Sequence, residues 1–269
     1  MELKGKIVLV TGGASGIGKI MGRKALEKGC EMLIVWDINE ESMHKMTEEF
    51  AMYRNRMRFF AVDISKVEMI EATASLFMEE FGRVDVLINN AGIVVGKNFV
   101  DHSGPEISRT LLINTEAAMQ ITRVFLPTMI SRNSGAICNI ASSAGLVSNP
   151  KMSVYAASKW AIVGWSDSLW LELKALKKSI SVTTVMPFYI NTGMFDGVKS
   201  LIIPILDPEK ASSKIIASIE ADKRMLAMPL PYWFIRISQG LLPLKVYDFI
   251  MGKLLGVYSS MDDFRGRKK

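Results

Sequence analysis

The stretch KIVLVTGGASGIG, residues 6–18, decides how this chain is read. A short apolar run at 6–10 passes through a glycine-rich turn into a segment of helical period at 16–28. Such a run suits a strand buried on both faces. Glycines let the backbone approach a ligand closely, and the N-terminus of the following helix favours a pyrophosphate. Gly12, Ser15, Gly16, Ile17 and Gly18 are therefore candidate cofactor-binding residues. The spacing is Gly-x-x-x-Gly-x-Gly rather than the commoner Gly-x-Gly-x-x-Gly. A plain tight turn between strand and helix would use the same residues, so this stretch takes its meaning from the motifs farther along the chain.

The same alternation runs through the rest of the 269 residues. Apolar runs at 32–36, 57–62, 84–88, 136–140, 181–186 and 225–228 alternate with helical patterns at 40–54, 67–81, 105–131, 152–177 and 208–221. Continuous apolar strands separated by helices predict a parallel sheet covered on both faces, an α/β, doubly wound, Rossmann-like fold. Ligands of such folds collect at the carboxyl ends of the strands. After Pro229 the pattern changes to an apolar, proline-punctuated segment. The expected organisation is one domain over 1–269, with a substrate lid at 190–206 and a C-terminal apolar appendage at 229–257.

Composition narrows the chemistry. The histidines are His44 and His102 and stand in no ligand-spaced cluster, which argues against a His-rich metal site and against a Ser-His-Asp hydrolase; no metal is expected. Cys30 and Cys138 lie in or beside apolar runs and read as reduced, buried thiols. The net charge of +6 is modest, and the closing RGRKK supplies four of the basic residues. That cluster reads as a solvated tail, with anionic lipid as a lesser alternative, and no nucleic-acid partner is expected. Residues 1–6 run into the first strand without a signal-peptide core, and no apolar run reaches the ~18 residues of a spanning helix. A cytoplasmic location is expected, with membrane association left open.

Tyr155 and Lys159, in YAASK, stand four residues apart and so share a helix face. A phenol titrates near pH ~10 and is a poor base at neutrality. An ammonium beside it is expected to lower that value and make Tyr155 a general acid/base. Asp37 closes the second strand 19 residues after Gly18, where a carboxylate can accept both adenosine ribose hydroxyls. A 2′-phosphate there would meet like charge, so NAD is expected over NADP; capping of the next helix is the bland alternative, and Asn39 would serve that as well. Asp63, after the third strand, could accept from the adenine amino group or cap the following helix with Ser65. Asn90, Ala91 and Gly92, at the end of the fourth strand, would let the backbone pass beside a flat cofactor.

Taken in order, TGGASGIG, NNAG, Asn114 in LLINTEA, Ser142 in NIASSAG, YAASK and the Pro187…Thr192 segment resemble the short-chain dehydrogenase/reductase family over nearly the whole chain. The resemblance implies Tyr155 as acid/base, with Lys159 lowering its pKa and holding the nicotinamide ribose. It implies Ser142, thirteen residues before Tyr155, as the partner of the substrate oxygen. It also implies Asn114 as the anchor of a proton-relaying water, and Ile190 and Thr192 beside the nicotinamide. Where the family commonly has Gly after Pro187, this chain has Phe188. The segments at 187–195 and 204–208 and the closing SMDDFRGR are similar to the branch holding epidermal retinol dehydrogenase and lipid-droplet hydroxysteroid dehydrogenases. That likeness implies a lipophilic alcohol or ketone as substrate. A polar 3-oxoacyl substrate with NADPH, or a non-catalytic nucleotide- or lipid-binding role, are the alternatives.

Two expectations concern surfaces. Trp160, Trp165 and Trp170 on or beside the Tyr155 helix read as packing residues, and by resemblance this helix and 105–131 form a homodimer or homotetramer interface. The apolar side chains of 190–206 and 229–257, with Met194, Phe195 and Trp233 as the expected substrate contacts, could form a hydrophobic lid and entry channel resting on a membrane. Burial against the domain or a dimer partner would use them equally well.

Overall fold

A computed structural model describes residues 1–200 and 202–266, with Tyr232 described by its backbone alone. Leu201 of the expected lid and the last three residues of the basic tail lie outside the described residues. Strands β1 (Ile7–Thr11), β2 (Met32–Asp37), β3 (Met57–Ala61), β4 (Val86–Asn89), β5 (Gly135–Ile140), β6 (Ile180–Pro187) and β7 (Met225–Met228) form one seven-stranded sheet. Its order is β3-β2-β1-β4-β5-β6-β7, and every pairing is parallel. The order reverses direction between β1 and β4, and that switch point opens a crevice at the strands' carboxyl ends.

The period-two alternation of β1 divides the core. Val8 and Val10 face a cluster completed by α1 (Gly16–Glu27), α2 (Glu40–Glu49) and α7 (Pro208–Glu220). Ile7 and Leu9 face the opposite cluster, with α3 (Val67–Phe81), α5 (Ala117–Arg132) and α6 (Ser153–Ala175). Both strand faces are buried, which is why these strands read as unbroken apolar runs. Trp36, Phe77 and Phe125 lock the second layer, with Phe125 5.7 Å from Trp36 and 5.5 Å from Phe77 between ring centroids. Tilted pairs of this kind add about 0.5–1.5 kcal/mol each beyond their burial. Cys30 and Cys138 are free thiols within the core.

Two helices differ from their expected spans. The pattern at 40–54 stops being α-helical at Glu49, and Ala51–Arg56 continues as a 3₁₀ turn after Phe50 turns inward. The pattern at 105–131 divides into α4 (Gly104–Leu111), a π turn at Leu112–Glu116, and α5. Ser103 starts α4 with a reciprocal capping box: its Oγ accepts from Glu106 N, and Glu106 accepts from Ser103 N. The π turn falls at Asn114, whose side chain bonds outside its own helix. Beyond β7 the chain forms α8 (Tyr232–Leu241) and α9 (Leu244–Phe249), followed by a second π turn at Ile250–Leu254. No helix among the described residues is long and apolar enough to cross a membrane.

Candidate active site

The glycine-rich turn is built by close approach. Gly12 has φ +61°, and a Cβ on it would lie 2.8 Å from Ala91 Cα. A Cβ on Gly18 would lie 2.3 Å from the Gly12 carbonyl oxygen and 2.5 Å from Asn90 Nδ2. Neither site has room for a side chain. Asn90 stitches the two strand ends together, its Nδ2 donating to the Thr11 and Gly12 carbonyls at 2.9 and 3.0 Å. The Asn90 and Ala91 backbone N–H groups donate to Thr11 Oγ1 at 3.0 and 3.1 Å. Gly18 thus stands behind the turn and packs helix to strand, whereas Gly12, Ser15, Gly16 and Ile17 line the crevice in front of it.

That crevice, a cavity of about 300 Å³, also brings together Asp37, Asp63, Asn90, Ala91, Gly92, Ser142, Tyr155, Lys159, Pro187, Ile190, Thr192, Met194 and Phe195. Asp37 Oδ2 accepts from Ala14 N at 3.0 Å and Oδ1 from Asn39 N at 3.0 Å, so its carboxylate is fixed between the turn and the end of β2. The helix cap is Asn39, which accepts from Ser42 N at 2.8 Å; capping therefore does not account for Asp37. Asp63 lies two residues past the end of β3 and caps no helix. It accepts from Ser65 Oγ at 2.6 Å and Ser65 N at 3.1 Å, and the Ser65 hydroxyl chiefly holds its carboxyl below the usual range.

Shape and donor set fit a dinucleotide: a side-chain-free turn opening a helix, an acid at the end of the second strand, and a small-residue passage at Ala91–Gly92. Sequence reading missed Ile38, Ile64, Arg109 and Ile113, which line the same cavity. Arg109 and Ile113 are spaced four apart, and that spacing ahead of Asn114 was the available signal. Ile38 and Ile64 carried none, because their positions depend on how the strand ends splay.

Tyr155, Lys159 and Ser142 meet at the cavity's inner end, all nearly fully buried. α6 presents Tyr155 and Lys159 on one face, and the turn after β5 presents Ser142, whose Oγ accepts from Ala144 N at 3.1 Å. Burial pushes the Tyr155 phenol up to about 12, against the pull of its hydrogen bond with Ser142. Burial also pulls Lys159 down to about 8. The expected depression of the phenol by the ammonium is therefore not what this arrangement produces. Desolvation sets the direction at Tyr155, and Lys159 Nζ donates to the Ile140 carbonyl at 2.9 Å, 5.7 Å from the Tyr155 ring centroid.

Asn114 sits behind this group and does not line the cavity. Its Oδ1 accepts from Ile93 N at 2.8 Å, and its Nδ2 donates to the Ile93 carbonyl at 2.9 Å and to Ser158 Oγ at 3.0 Å. The side chain thus clamps the loop after β4 to α6, with one lone pair of Oδ1 left over.

A second, mainly apolar cavity of about 410 Å³ adjoins the first, and Ser142 and Phe188 line both. Phe188, where a glycine was the family expectation, is the wall between them. Ile203, Phe234, Ile235, Leu242 and Met251 also line it. Met194 and Phe195 face the first cavity, but Trp233 faces neither and is 61% exposed. On α8, Ile235 and Ser238 turn inward, as does Leu242 just past its end, so residues at 233, 237 and 241 fall on the outer face.

The model of the short chain dehydrogenase family matches residues 6–201. Epidermal retinol dehydrogenase 2 of Mus musculus is 37% identical over 275 residues, covering 100% of this chain and 88% of that protein. Estradiol 17-beta-dehydrogenase 11 of Pongo abelii is 30% identical over 265 residues, covering 98% and 88%. Among solved structures, a short chain dehydrogenase/reductase from Burkholderia phymatum in complex with NAD superposes with a TM-score of 0.81 at 22% identity, covering 91% of this chain and 96% of that one. A metagenomic short-chain oxidoreductase in complex with NADP gives 0.72 at 26% identity, covering 85% and 98%. Turn, crevice and the Ser142–Tyr155–Lys159 group stand where the matched region runs, and this chain belongs to the short chain dehydrogenase family of nicotinamide-dependent oxidoreductases.

Proposed function

We propose that this enzyme oxidises or reduces a lipophilic alcohol/ketone pair of retinoid, steroid or long-chain lipid type, using NAD(H). The observation that carries the reading is the shared wall: Ser142 and Phe188 border both the polar crevice and the apolar cavity. A reacting carbon seated there has the dinucleotide site on one side and room for a hydrocarbon body on the other. When bound, the nicotinamide supplies or accepts the hydride.

The chain's own residues handle the proton. Ser142 Oγ orients the substrate oxygen, and Tyr155 gives its proton in reduction or takes one in oxidation. A phenol held at about 12 retains its proton at neutral pH, the state that reduction needs. Asn114 ties the loop after β4 to α6, the helix that carries Lys159, and Lys159 reaches the ribose. Asp37 takes the adenosine ribose hydroxyls, which favours NAD over NADP.

The segments 190–206 and 229–257 act as lid and appendage around the apolar cavity. The ends of the first are pinned by a bridge between Ile190 and Leu206. The outward row Trp233, Ile237, Leu241 and Leu244, each more than half exposed, with the exposed Lys245 next in sequence and the exposed Lys253 over the Phe249 ring, suits contact with a membrane surface from which such substrates would be drawn. A homodimer or homotetramer through 105–131, from α4 to α5, and α6 belongs to the same reading. A screen of purified protein with NAD and NADH over retinoids, steroids and fatty alcohols tests it. Turnover confined to polar 3-oxoacyl substrates with NADPH would favour the alternative reductase.

A further inference from the structure

Residues 257–266 lie beyond the region that the family model matches, yet they are built into the site. A directed chain of hydrogen bonds holds them. Ser260 Oγ donates to the Val257 carbonyl at 2.7 Å, which spends its hydrogen. The Tyr189 hydroxyl is therefore the donor in its 2.9 Å contact with Ser260 Oγ. Asn149 Nδ2 donates to the Tyr189 oxygen at 3.1 Å and approaches Ser260 Oγ at 3.3 Å. Tyr189 and Asn149 both line the apolar cavity, so a polar chain is maintained where an unpaired hydroxyl would be costly.

The segment is also fastened to the lid. Lys199 N donates to the Ser260 carbonyl at 3.2 Å, Arg265 N to the Asp196 carbonyl at 2.9 Å, and Lys199 pairs with Asp263 at 2.6 Å. Gly197, at φ +87°, passes so near that a Cβ would lie 2.1 Å from the Asp263 carbonyl oxygen. Phe195 stands at the centre. Its ring centroid is 5.1 Å from Tyr189, 6.0 Å from Tyr155 in an edge-on arrangement, and 6.5 Å from Phe264.

We infer that Tyr189 is a positioning residue: its hydroxyl tethers Ser260, and the tethered segment holds Phe195 edge-on against Tyr155 in the first cavity, beside the reacting carbon and where the apolar cavity adjoins it. This rests on the reading of Tyr155 as the acid/base and of that cavity as the substrate's. Tyr189 touches neither hydride nor transferred proton. Its ring packs against Phe195 while its hydroxyl bonds Ser260, so hydroxyl and ring can be separated experimentally.

Tyr189→Phe keeps the ring and removes the tether, and Ser260→Ala removes the same bond from the other side. Hydrogen–deuterium exchange on the full chain without substrate should be faster at 193–200 and 257–266 in either variant, and no faster in the double variant. With a long-chain fatty alcohol, KM should rise about 3- to 10-fold, the loss of one net hydrogen bond. With propanol, which reaches only the reacting carbon, the rise should be smaller, and the two substitutions should not add. Unchanged exchange overturns the tether. Faster exchange with an unchanged ratio of long-chain to propanol KM overturns the positioning role. Absence of turnover by the wild-type protein over an alcohol and ketone panel counts instead against the parent reading, and the exchange result still decides the tether.

Discussion

Lys159 Nζ donates to the Ile140 carbonyl oxygen at 2.9 Å, from a residue that is 4% exposed. The bond ties α6 to the carboxyl end of β5 and keeps the amine in the cavity lining, 5.7 Å from the Tyr155 ring centroid. A buried cation with one hydrogen bond is an energetic burden, and the lowering of its pKa to about 8 by burial expresses that burden. The unfolded chain binds a proton at this residue that the folded chain lacks between pH about 8 and ~10.4, so stability rises with pH across that window. Tyr155 contributes the opposite trend, because its raised value lets the folded chain hold a proton longer, but only above pH ~10.

Lys159→Met should therefore be more stable than the wild-type protein at pH 7, by roughly 1–3 kcal/mol, with the advantage fading by pH 10. Urea unfolding midpoints at the two pH values measure it. A variant less stable at pH 7 would mean that the hydrogen bond to Ile140 outweighs desolvation. Activity should fall in the same variant, a site whose chemistry is held at some expense of stability.

Tyr155→Phe should lower kcat by about 10²–10⁴-fold through loss of acid/base catalysis while leaving NADH binding close to wild type. The phenol is buried against Ser142 and Phe195 and does not build the glycine-rich turn. Steady-state rates together with NADH fluorescence titration separate the two effects. A near-wild-type rate would remove Tyr155 from the chemistry.

Asp37→Ala should weaken NAD binding and narrow the gap to NADP. Because Asp37 Oδ2 also accepts from Ala14 N in the turn, some loss of affinity for both cofactors is expected. Asp37→Asn keeps an acceptor and a similar shape but removes the charge, so it should narrow the gap with less general loss. Titration of each cofactor against the three proteins reads this directly. An unchanged ratio in both variants would show that Asp37 serves the turn alone.

Much of this site was legible in sequence because it rests on local requirements. Gly12 and Gly18 must lack side chains where strands and helix close on one another, and Tyr155 and Lys159 must share a helix face. What was not legible depends on long-range packing. The π turn at Asn114 has no glycine or proline to announce it, and arises because the side chain bonds Ile93 and Ser158 on other elements. The dominance of burial at Tyr155 and Lys159 depends on the segments packed around them, which spacing alone does not reveal. Trp233 was misplaced for a simpler reason: composition marks 229–257 as apolar, but only the helical phase of α8 decides which apolar residues face the cavity.

That phase separates two neighbours. Phe234 lines the apolar cavity, whereas Trp233, stacked edge-on against it at 6.2 Å, points outward beside Ile237 and Leu241. Phe234→Ser should raise KM for detergent-solubilised long-chain alcohols several-fold, because it removes apolar surface worth about 1.5–3 kcal/mol when fully buried, and here only part of the ring is covered. Trp233→Ser should leave that KM unchanged and should instead weaken co-sedimentation with anionic phospholipid vesicles, with Lys245 and Lys253 making the binding salt-sensitive. Kinetics in detergent and vesicle binding at two salt concentrations distinguish the roles. Equal effects of both substitutions on KM, with vesicle binding unaltered, would place Trp233 back among the substrate contacts and leave the outer apolar row without a membrane role.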